Sequence, residues 1–452
     1  MNAIETLTRK IGGELLSRAR RARPGPWSLD YWRELSMNWS MRHGPLKQRL
    51  FRFVSLMPQQ HDAADVARAL REQLRDLPGL PFPLAMAIDF DDPRGLFARG
   101  IGRAARLAVS HMAHHFLVGS TPDEALDAVR QMRTAGMAAT LDILGESVRT
   151  AEAAQQFCRQ YLDLLAALGR AAPRWGGSDV LDAAPYGALP RANVSVKLSA
   201  LSAEFSPDVE HADSGAVRGP LGEIFRAARS AGAFINVDME HFNLRDATLD
   251  AFERLLSEPE LRDWPHAGIV VQAYLRDSRR DLDRLIAFAR RRGTPITVRL
   301  VKGAYWDYET EQSRRAGRVS PVWSHKWESD ESFESLTAVM LENVEHVRPA
   351  LGSHNVRSIA HALARSAALG QPARTVELQM LHGMGDVLKR ALVQAQQRLR
   401  VYSPMGAWVP GVAYLVRRLM ENTANESFLR QSFDDGADDD ALLSRPGAAT
   451  AP

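Results

Sequence analysis

Apolar positions recur along this chain with two different periods. In the first part they stand three and four residues apart. Ile4, Leu7, Ile11 and Leu15 share one helical stripe, followed by Arg18, Arg20, Arg21 and Arg23 before Pro24-Gly25-Pro26 closes the segment. This reads as a basic amphipathic helix, suited to a membrane surface or a partner, or to docking on its own protein with a solvated basic face. From Trp27 to about residue 116 the pattern stays helical, with Val66, Leu70 and Leu74 on one stripe, so residues 1–116 form a helical N-terminal arm and α domain.

From residue 117 short β-rich runs alternate with helical stretches. The runs are Ala138 to Leu144, Asn193 to Leu198, Ala233 to Asp238, Gly268 to Tyr274, Ile296 to Lys302, Ala350 to Ser353, Val376 to Leu381 and Leu399 to Ser403. Eight strands, each followed by a helix, predict parallel pairing through crossover helices and a closed α/β barrel of the (β/α)8 type over residues 117–430. Residues 431–452 carry Asp434, Asp435 and Asp438 to Asp440 and then Ala, Gly and Pro, and read as a disordered acidic tail or linker.

The barrel prediction directs attention to the C-terminal strand ends, where such folds keep their sites. Residues 294–306 are the most informative stretch: Pro295 enters a β-branched run, Arg299 and Lys302 lie on it, and Gly303 breaks it. Two cations on so apolar a strand need partners or an anion. The other strand ends supply Asp142, Glu146, Lys197, Asp238, Gln272, Tyr274, Ser353, His354, Asn355, Gln379, His382 and Tyr402. A single polar strand end is commonly a capped turn, whereas this many converging ones make a site.

Composition narrows the chemistry. Lys and Arg number 57 against 54 Asp and Glu, so no nucleic-acid surface is implied. The single cysteine, Cys158, excludes an intramolecular disulfide framework and multi-cysteine metal centres, and no zinc-like spacing occurs. No apolar run approaches the roughly 20 residues that span a bilayer. The expected location is cytoplasmic, with peripheral contact on the inner face of the membrane open. Gly100-Ile101-Gly102-Arg103-Ala104-Ala105 fits a dinucleotide pattern but follows no strand, and Gly383-Met384-Gly385 follows one but lacks the third small residue.

Seven ordered motifs then carry a resemblance: Val196-Lys197-Leu198-Ser199-Ala200-Leu201, Asn236-Val237-Asp238, Gln272-Ala273-Tyr274, Arg299-Leu300-Val301-Lys302-Gly303-Ala304-Tyr305-Trp306, Ser353-His354-Asn355, Leu381-His382-Gly383-Met384-Gly385 and Tyr414-Leu415-Val416-Arg417-Arg418-Leu419. Together they closely resemble the proline dehydrogenase domain of the bacterial proline utilization A flavoenzymes. The resemblance implies a distorted (β/α)8 barrel holding non-covalent FAD. It also implies oxidation of L-proline to Δ1-pyrroline-5-carboxylate, with electrons passed to a membrane quinone, as the first step of proline catabolism to glutamate.

By the same resemblance Lys197, Arg417 and Arg418 clamp the proline carboxylate, Tyr402, Leu381 and Tyr305 wall its ring, and Asp238 organises the clamp. Glu146 holds Arg417 in a closed lid. Arg299 lies beside the reacting flavin nitrogen. Met239, Gln272, Val301, Lys302, Gly303, Ala304, Trp306, Ser353, His354, Gln379 and Glu421 hold the remainder of FAD, and Ser324 and Lys326 align with its adenosine end. Ser353 stands where the family often has threonine and keeps the hydroxyl.

Family members often continue into an aldehyde dehydrogenase domain. These residues supply no Rossmann unit and no catalytic-cysteine context, so the second oxidation is expected of a separate pyrroline-5-carboxylate dehydrogenase domain or protein. Two other classes fit parts of the pattern: a Schiff-base barrel using Lys302 or Lys197 beside Asp238, and a non-catalytic scaffold docking on membranes through its basic N-terminal helix.

Overall fold

The computed structural model describes the chain except for residues 1–2, 23–43, 79, 81, 93, 146, 207–212, 408–410, 412–413, 415–437 and 448–452. Eight parallel strands close into a barrel: β1 (Ala138–Ile143), β2 (Ala192–Val196), β3 (Ala233–Val237), β4 (Ala267–Gln272), β5 (Ile296–Val301), β6 (Val347–Gly352), β7 (Glu377–Leu381) and β8 (Leu399–Met405). Each pairs with its neighbour in sequence, and β1 pairs with β8 in the register Ala138 with Arg400 through Ile143 with Met405. Both faces are covered, so these strands are almost entirely buried and read as apolar runs rather than alternations.

All eight expected strands form. The sixth begins earlier than expected, at Val347, and includes Arg348 and Pro349. A proline and a cation obscure the strand signal, yet Arg348 is buried with its guanidinium 4.6 Å from the Tyr186 ring centre. Tyr186 lies on a small hairpin pairing residues 183–184 with 187–188 and also accepts a hydrogen bond from Arg398 at 2.8 Å. Beside it, Glu377 takes two hydrogen bonds from Arg400, at 2.8 and 3.0 Å. The lower end of the barrel is thus closed by a buried charged floor.

Before the barrel come α1 (Ala3–Arg21), α2 (Gly44–Leu56), α3 (Ala63–Leu74), α4 (Phe82–Ile88) and α5 (Leu96–Phe116), and along it follow α6 (Pro122–Thr134), α7 (Ala151–Ala171), α8 (Arg218–Ser230), α9 (Arg245–Leu256), α10 (Ser278–Arg292) and α11 (Trp306–Arg315). Helices α2, α3 and α5 build their own apolar cluster, with Phe53, Val66, Leu70 and Leu74, and that cluster continues onto Leu144, Leu381, Met384 and Tyr414 at the upper rim of the barrel. The Gly100–Ala105 pattern lies inside α5, away from any strand. No helix among the described residues is long and apolar enough to cross a membrane.

Two expectations about the ends meet the structure. First, of the readings of the basic helix, docking on its own protein is the one that forms: α1 packs against α13 (Val356–Ala368) and α14 (Asp386–Gln394) outside the barrel. Its buried face is Glu5, Thr8, Gly12, Leu15, Leu16 and Ala19, while Ile4, Leu7 and Ile11 are only partly covered. Gly12 shifts the face: a Cβ there would lie 2.4 Å from Leu443, so the helix approaches closely along that line. Second, residues 438–447 are not disordered. They contain α15 (Asp439–Leu442), bury Leu442 and Leu443, and pair Asp439 with Arg20 and Asp440 with Arg9. The acidic composition that suggested disorder is matched by the basic face of α1.

Candidate functional site

At the upper end of the barrel the interior is filled with charge. Lys197, directly after β2, donates from Nζ to both oxygens of Asp142 at 2.7 Å and to Tyr402 Oη at 3.1 Å. Tyr402 Oη donates to Asp238 Oδ2 at 2.7 Å, and Arg299 NH1 donates to Asp238 Oδ1 at 2.7 Å. Arg299 NH2 reaches Ser195 Oγ at 3.0 Å, which contacts Thr140 Oγ1 at 3.1 Å. The chain from Asp142 to Thr140 thus links side chains from β1, β2, β5 and β8 and the end of β3, brought together only by barrel closure.

Every one of these groups is buried or nearly so; Asp142 is 1% exposed and Arg299 4%. Removing an ion pair from water is costly, so the charges survive by mutual hydrogen bonding. Burial opposes the Lys197 ammonium, but Asp142, then Tyr402 and Asp238, outweigh it and hold its pKa well above the ordinary lysine value. Burial also pushes the Asp142 carboxyl upward, with Asp238 adding to that and Lys197 opposing. The Tyr402 phenol is driven well above its ordinary value by burial and the two carboxylates.

Around this cluster stand most of the expected ligand-holding residues. Gln272, ending β4, donates to the Glu240 carbonyl at 3.1 Å and leaves Oε1 buried without a partner among the described residues; Arg299 Nε is in the same position. Met239 is buried beside Asp238. After β5, Gly303 has φ +130°, and a Cβ there would lie 2.4 Å from the Tyr274 ring. Tyr274 donates its N–H to the Lys302 carbonyl at 2.7 Å and Trp323 donates its N–H back to Tyr274 at 2.8 Å. Trp306, partly exposed, donates Nε1–H to the Trp323 carbonyl at 2.8 Å. Ser324 accepts from Arg276 at 3.1 Å. The loops after β4 and β5 and segment 321–326 therefore form one braced platform, on which Val301 is partly covered and Ala304 exposed. The Tyr305 ring lies against His241, tilted by 45° with the ring centres 4.2 Å apart.

Lys302 and Lys326 do not stand free: both donate to Asp330 of α12 (Lys326–Glu342), Lys326 at 2.8 Å. Burial pulls the Lys302 ammonium down against the attraction of Asp330. Burial pushes the Asp330 carboxyl up, but the two lysines carry it below its ordinary range. Two cations on one carboxylate leave a local positive surplus, and Arg276 adds to it.

The remaining expected residues are less central. Ser353, after β6, accepts from Asn355 N–H at 3.1 Å, and His354 Nε2 accepts from Leu381 N–H at 3.1 Å, so Leu381 and His354 share a rim. Gln379 bonds Glu377 at 2.7 Å, towards the charged floor, and its Oε1 has no partner among the described residues. Glu146, Arg417, Arg418 and Glu421 lie outside the described residues.

Sequence reasoning missed the roles of Asp142 and Asp330. Asp142 was visible only as one strand-end acid among several, and Asp330 carried the weak signal of standing four residues after Lys326 on a helix. Ser195 and Thr140 gave no signal, being small hydroxyls inside apolar strands.

Comparison with known proteins identifies the family. The family model for proline dehydrogenase matches residues 125–431, and that for the proline utilization A N-terminal domain matches residues 5–116. The bifunctional protein PutA of Klebsiella aerogenes is 32% identical over 361 residues, covering 78% of this chain and 26% of that protein. The proline dehydrogenase of Deinococcus radiodurans is 28% identical over 335 residues, 73% of this chain and 93% of that protein. The crystal structure of proline utilization A from Bdellovibrio bacteriovorus inactivated by N-propargylglycine has a TM-score of 0.89 and 38% identity, covering 99% of this chain and 45% of that one. This chain thus spans about a quarter of the bifunctional relative, and the matched stretch contains the whole barrel with its charged upper end. The chain belongs to the proline dehydrogenase family.

Proposed function

We propose that the chain catalyses FAD-dependent oxidation of L-proline to Δ1-pyrroline-5-carboxylate and passes the electrons to a membrane quinone, opening proline catabolism to glutamate. The observation that carries this reading is the buried Asp142–Lys197–Tyr402–Asp238–Arg299 chain of hydrogen bonds at the strand tops.

The residues suit a flavin dinucleotide. Arg299 Nε and Gln272 Oε1 are buried polar atoms without described partners on adjacent strands. Gly303 lets the backbone after β5 pack closely on the Tyr274 ring, and the Lys302, Lys326 and Arg276 surplus beside it suits phosphate. Ser353, His354 and Met239 stand directly after β6 and β3 and are the further residues the motif assigns to the cofactor. A bound flavin supplies the hydride acceptor that no side chain offers.

The protein's part is orientation and charge. Within the cluster two cations, Lys197 and Arg299, balance two carboxylates, Asp142 and Asp238. A proline carboxylate adds one negative charge, which calls for further cations, and Arg417 and Arg418 are the residues the motif assigns to it. Lys197, held as an ammonium and fixed by Asp142 and Tyr402, presents the inner wall of that clamp. Tyr402, Leu381 and Tyr305 confine the ring, placing the carbon to be oxidised. Arg299 keeps a fixed positive charge where negative charge develops.

A lysine Schiff-base reading is disfavoured because Lys197 is stabilised as the ammonium and Lys302 is committed to Asp330. The test is the visible spectrum of the purified protein under anaerobic conditions. Flavin bands near about 450 nm that bleach on addition of L-proline are expected for a bound flavin cofactor. Bands that persist would remove proline as substrate, and an FAD-supplemented protein without bands would remove the flavin.

A further inference from the structure

We propose that Arg357 is a positioning residue for the β6 edge of the site, and that α1 and the C-terminal strap, residues 438–447, act on that edge through it. The proposal rests on reading Ser353 and His354 as cofactor contacts.

Arg357 is the second residue of α13 and 4% exposed. A guanidinium has five N–H donors, and Arg357 makes five hydrogen bonds. Nε and NH2 reach Glu334 of α12 at 2.8 and 3.1 Å, and NH1 and NH2 reach Glu5 of α1 at 2.7 and 3.0 Å. NH1 also reaches the Leu443 carbonyl of the strap at 2.7 Å. One side chain therefore ties three segments that are far apart in sequence. A cation in the first turn of a helix opposes the helix dipole, so local helix stability does not explain its place; the three partners do.

The strap is itself anchored to α1. Asp439 pairs with Arg20, Asp440 with Arg9 and Arg445 with Glu5, while Leu443 packs against Gly12. On the other side, the residues flanking Arg357 in the first turn of α13 are hydrogen-bonded towards the site. Asn355 caps α13 by accepting from Ser358 N–H at 3.2 Å, and donates its own N–H to Ser353 Oγ at 3.1 Å. His354, between them, accepts from Leu381 N–H on the neighbouring strand end. The first turn of α13 and the end of β6 are thus tied together, and the partners of Arg357 hold the outer side of that turn. Lysine, with a single point charge, cannot reproduce a fork shared among three segments.

The test compares full-length variants for FAD dissociation, titrated by fluorescence into the apo chain, for hydrogen exchange over residues 353–360, for melting temperature and for the KM of proline at saturating FAD. Arg357→Lys and Glu5→Gln are each expected to weaken FAD binding about tenfold, the scale typical of supporting groups behind a ligand. Exchange at 353–360 should quicken and the KM for proline should stay unchanged. The double variant Asp439→Asn, Asp440→Asn loosens the strap without leaving a buried charge, and should shift both readouts the same way to a smaller extent; it decides the question if Arg357→Lys does not fold. Variants that melt lower but bind FAD like the parent, while Ser353→Ala binds it weakly, would make Arg357 a purely structural residue. If Ser353→Ala also binds FAD like the parent, the reading of this edge as a cofactor contact falls, and the proposal with it.

Discussion

Tyr402 lies over Arg299, with the guanidinium carbon 5.4 Å from the ring centre, while the two side chains bind opposite oxygens of Asp238 at 2.7 Å. Asp238 is thus the hinge of the buried cluster. Asp238→Ala should leave Arg299 without its counter-ion in the barrel interior, at a cost of about 3–5 kcal/mol in stability. Asp238→Asn should fold better and still lose most proline turnover, since the charge that holds Arg299 is gone. Denaturant melts alongside anaerobic flavin reduction separate the two effects.

Arg417→Met should raise the KM for proline steeply with FAD still bound, because the proposed clamp needs cations beyond the balanced pairs at Lys197 and Arg299. Loss of flavin with normal proline affinity would contradict that role. Steady-state kinetics beside the flavin-to-protein absorbance ratio decide it.

Tyr402 should also set substrate choice. Its ring walls the proposed pocket and its hydroxyl is fixed by Asp238 and Lys197, so a ring hydroxyl on the substrate meets an immobile neighbour. Trans-4-hydroxy-L-proline should be turned over far less efficiently than L-proline. Tyr402→Phe should narrow the gap while losing hydrogen bonds to charged groups worth roughly 1.5–3 kcal/mol each.

Gly303→Ala should destabilise the platform after β5. The backbone there has φ +130°, and the added methyl would meet the Tyr274 ring; left-handed strain alone is worth about 1–3 kcal/mol. A lowered melting temperature with unchanged far-ultraviolet circular dichroism is the expected signature.

Acid should weaken the fold from about pH 6.5 downward. Burial lowers the pKa values of both His266 and His382 to about 4, so both stay neutral in the folded chain while the unfolded chain takes up protons near pH 6.5. Their contribution is complete above the unfolded value and is lost as pH falls towards about 4, on the order of 1 kcal/mol per pH unit per imidazole. Glu377, held at about 2 by Arg400 against burial, adds a further loss below its unfolded value near 4.5. Melting temperature against pH tests this, and His382→Gln should flatten the upper part of the curve.

The strands were readable because a doubly covered parallel sheet needs continuous apolar runs, and β6 was misplaced where Arg348 and Pro349 interrupt its run. The strand-end polar residues were readable for the same reason, since they stand out against their own strands. Their pairings were not: Asp142 meets Lys197, and Arg299 meets Asp238, only through the register of barrel closure, which leaves no local mark. The strap from 438 to 447 was hidden because its composition is that of a linker. What holds it is the burial of Leu442 and Leu443, the bond from Arg357 and the complementary charge on α1 at the opposite end of the chain.

The floor at the other end of the barrel bears on how the ring finds its alignment. Parallel apolar strands are alike enough that sliding one past another by two residues keeps the same faces inward. Glu377, Arg398 and Arg400 break that likeness, because a slipped β8 would carry Arg400 away from Glu377 and from the Ala139 carbonyl that it also binds. Unmatched charges in the interior are penalised far more than mismatched leucines. The floor therefore acts as a key that admits one alignment of the ring, and that alignment brings the residues of the upper cluster together.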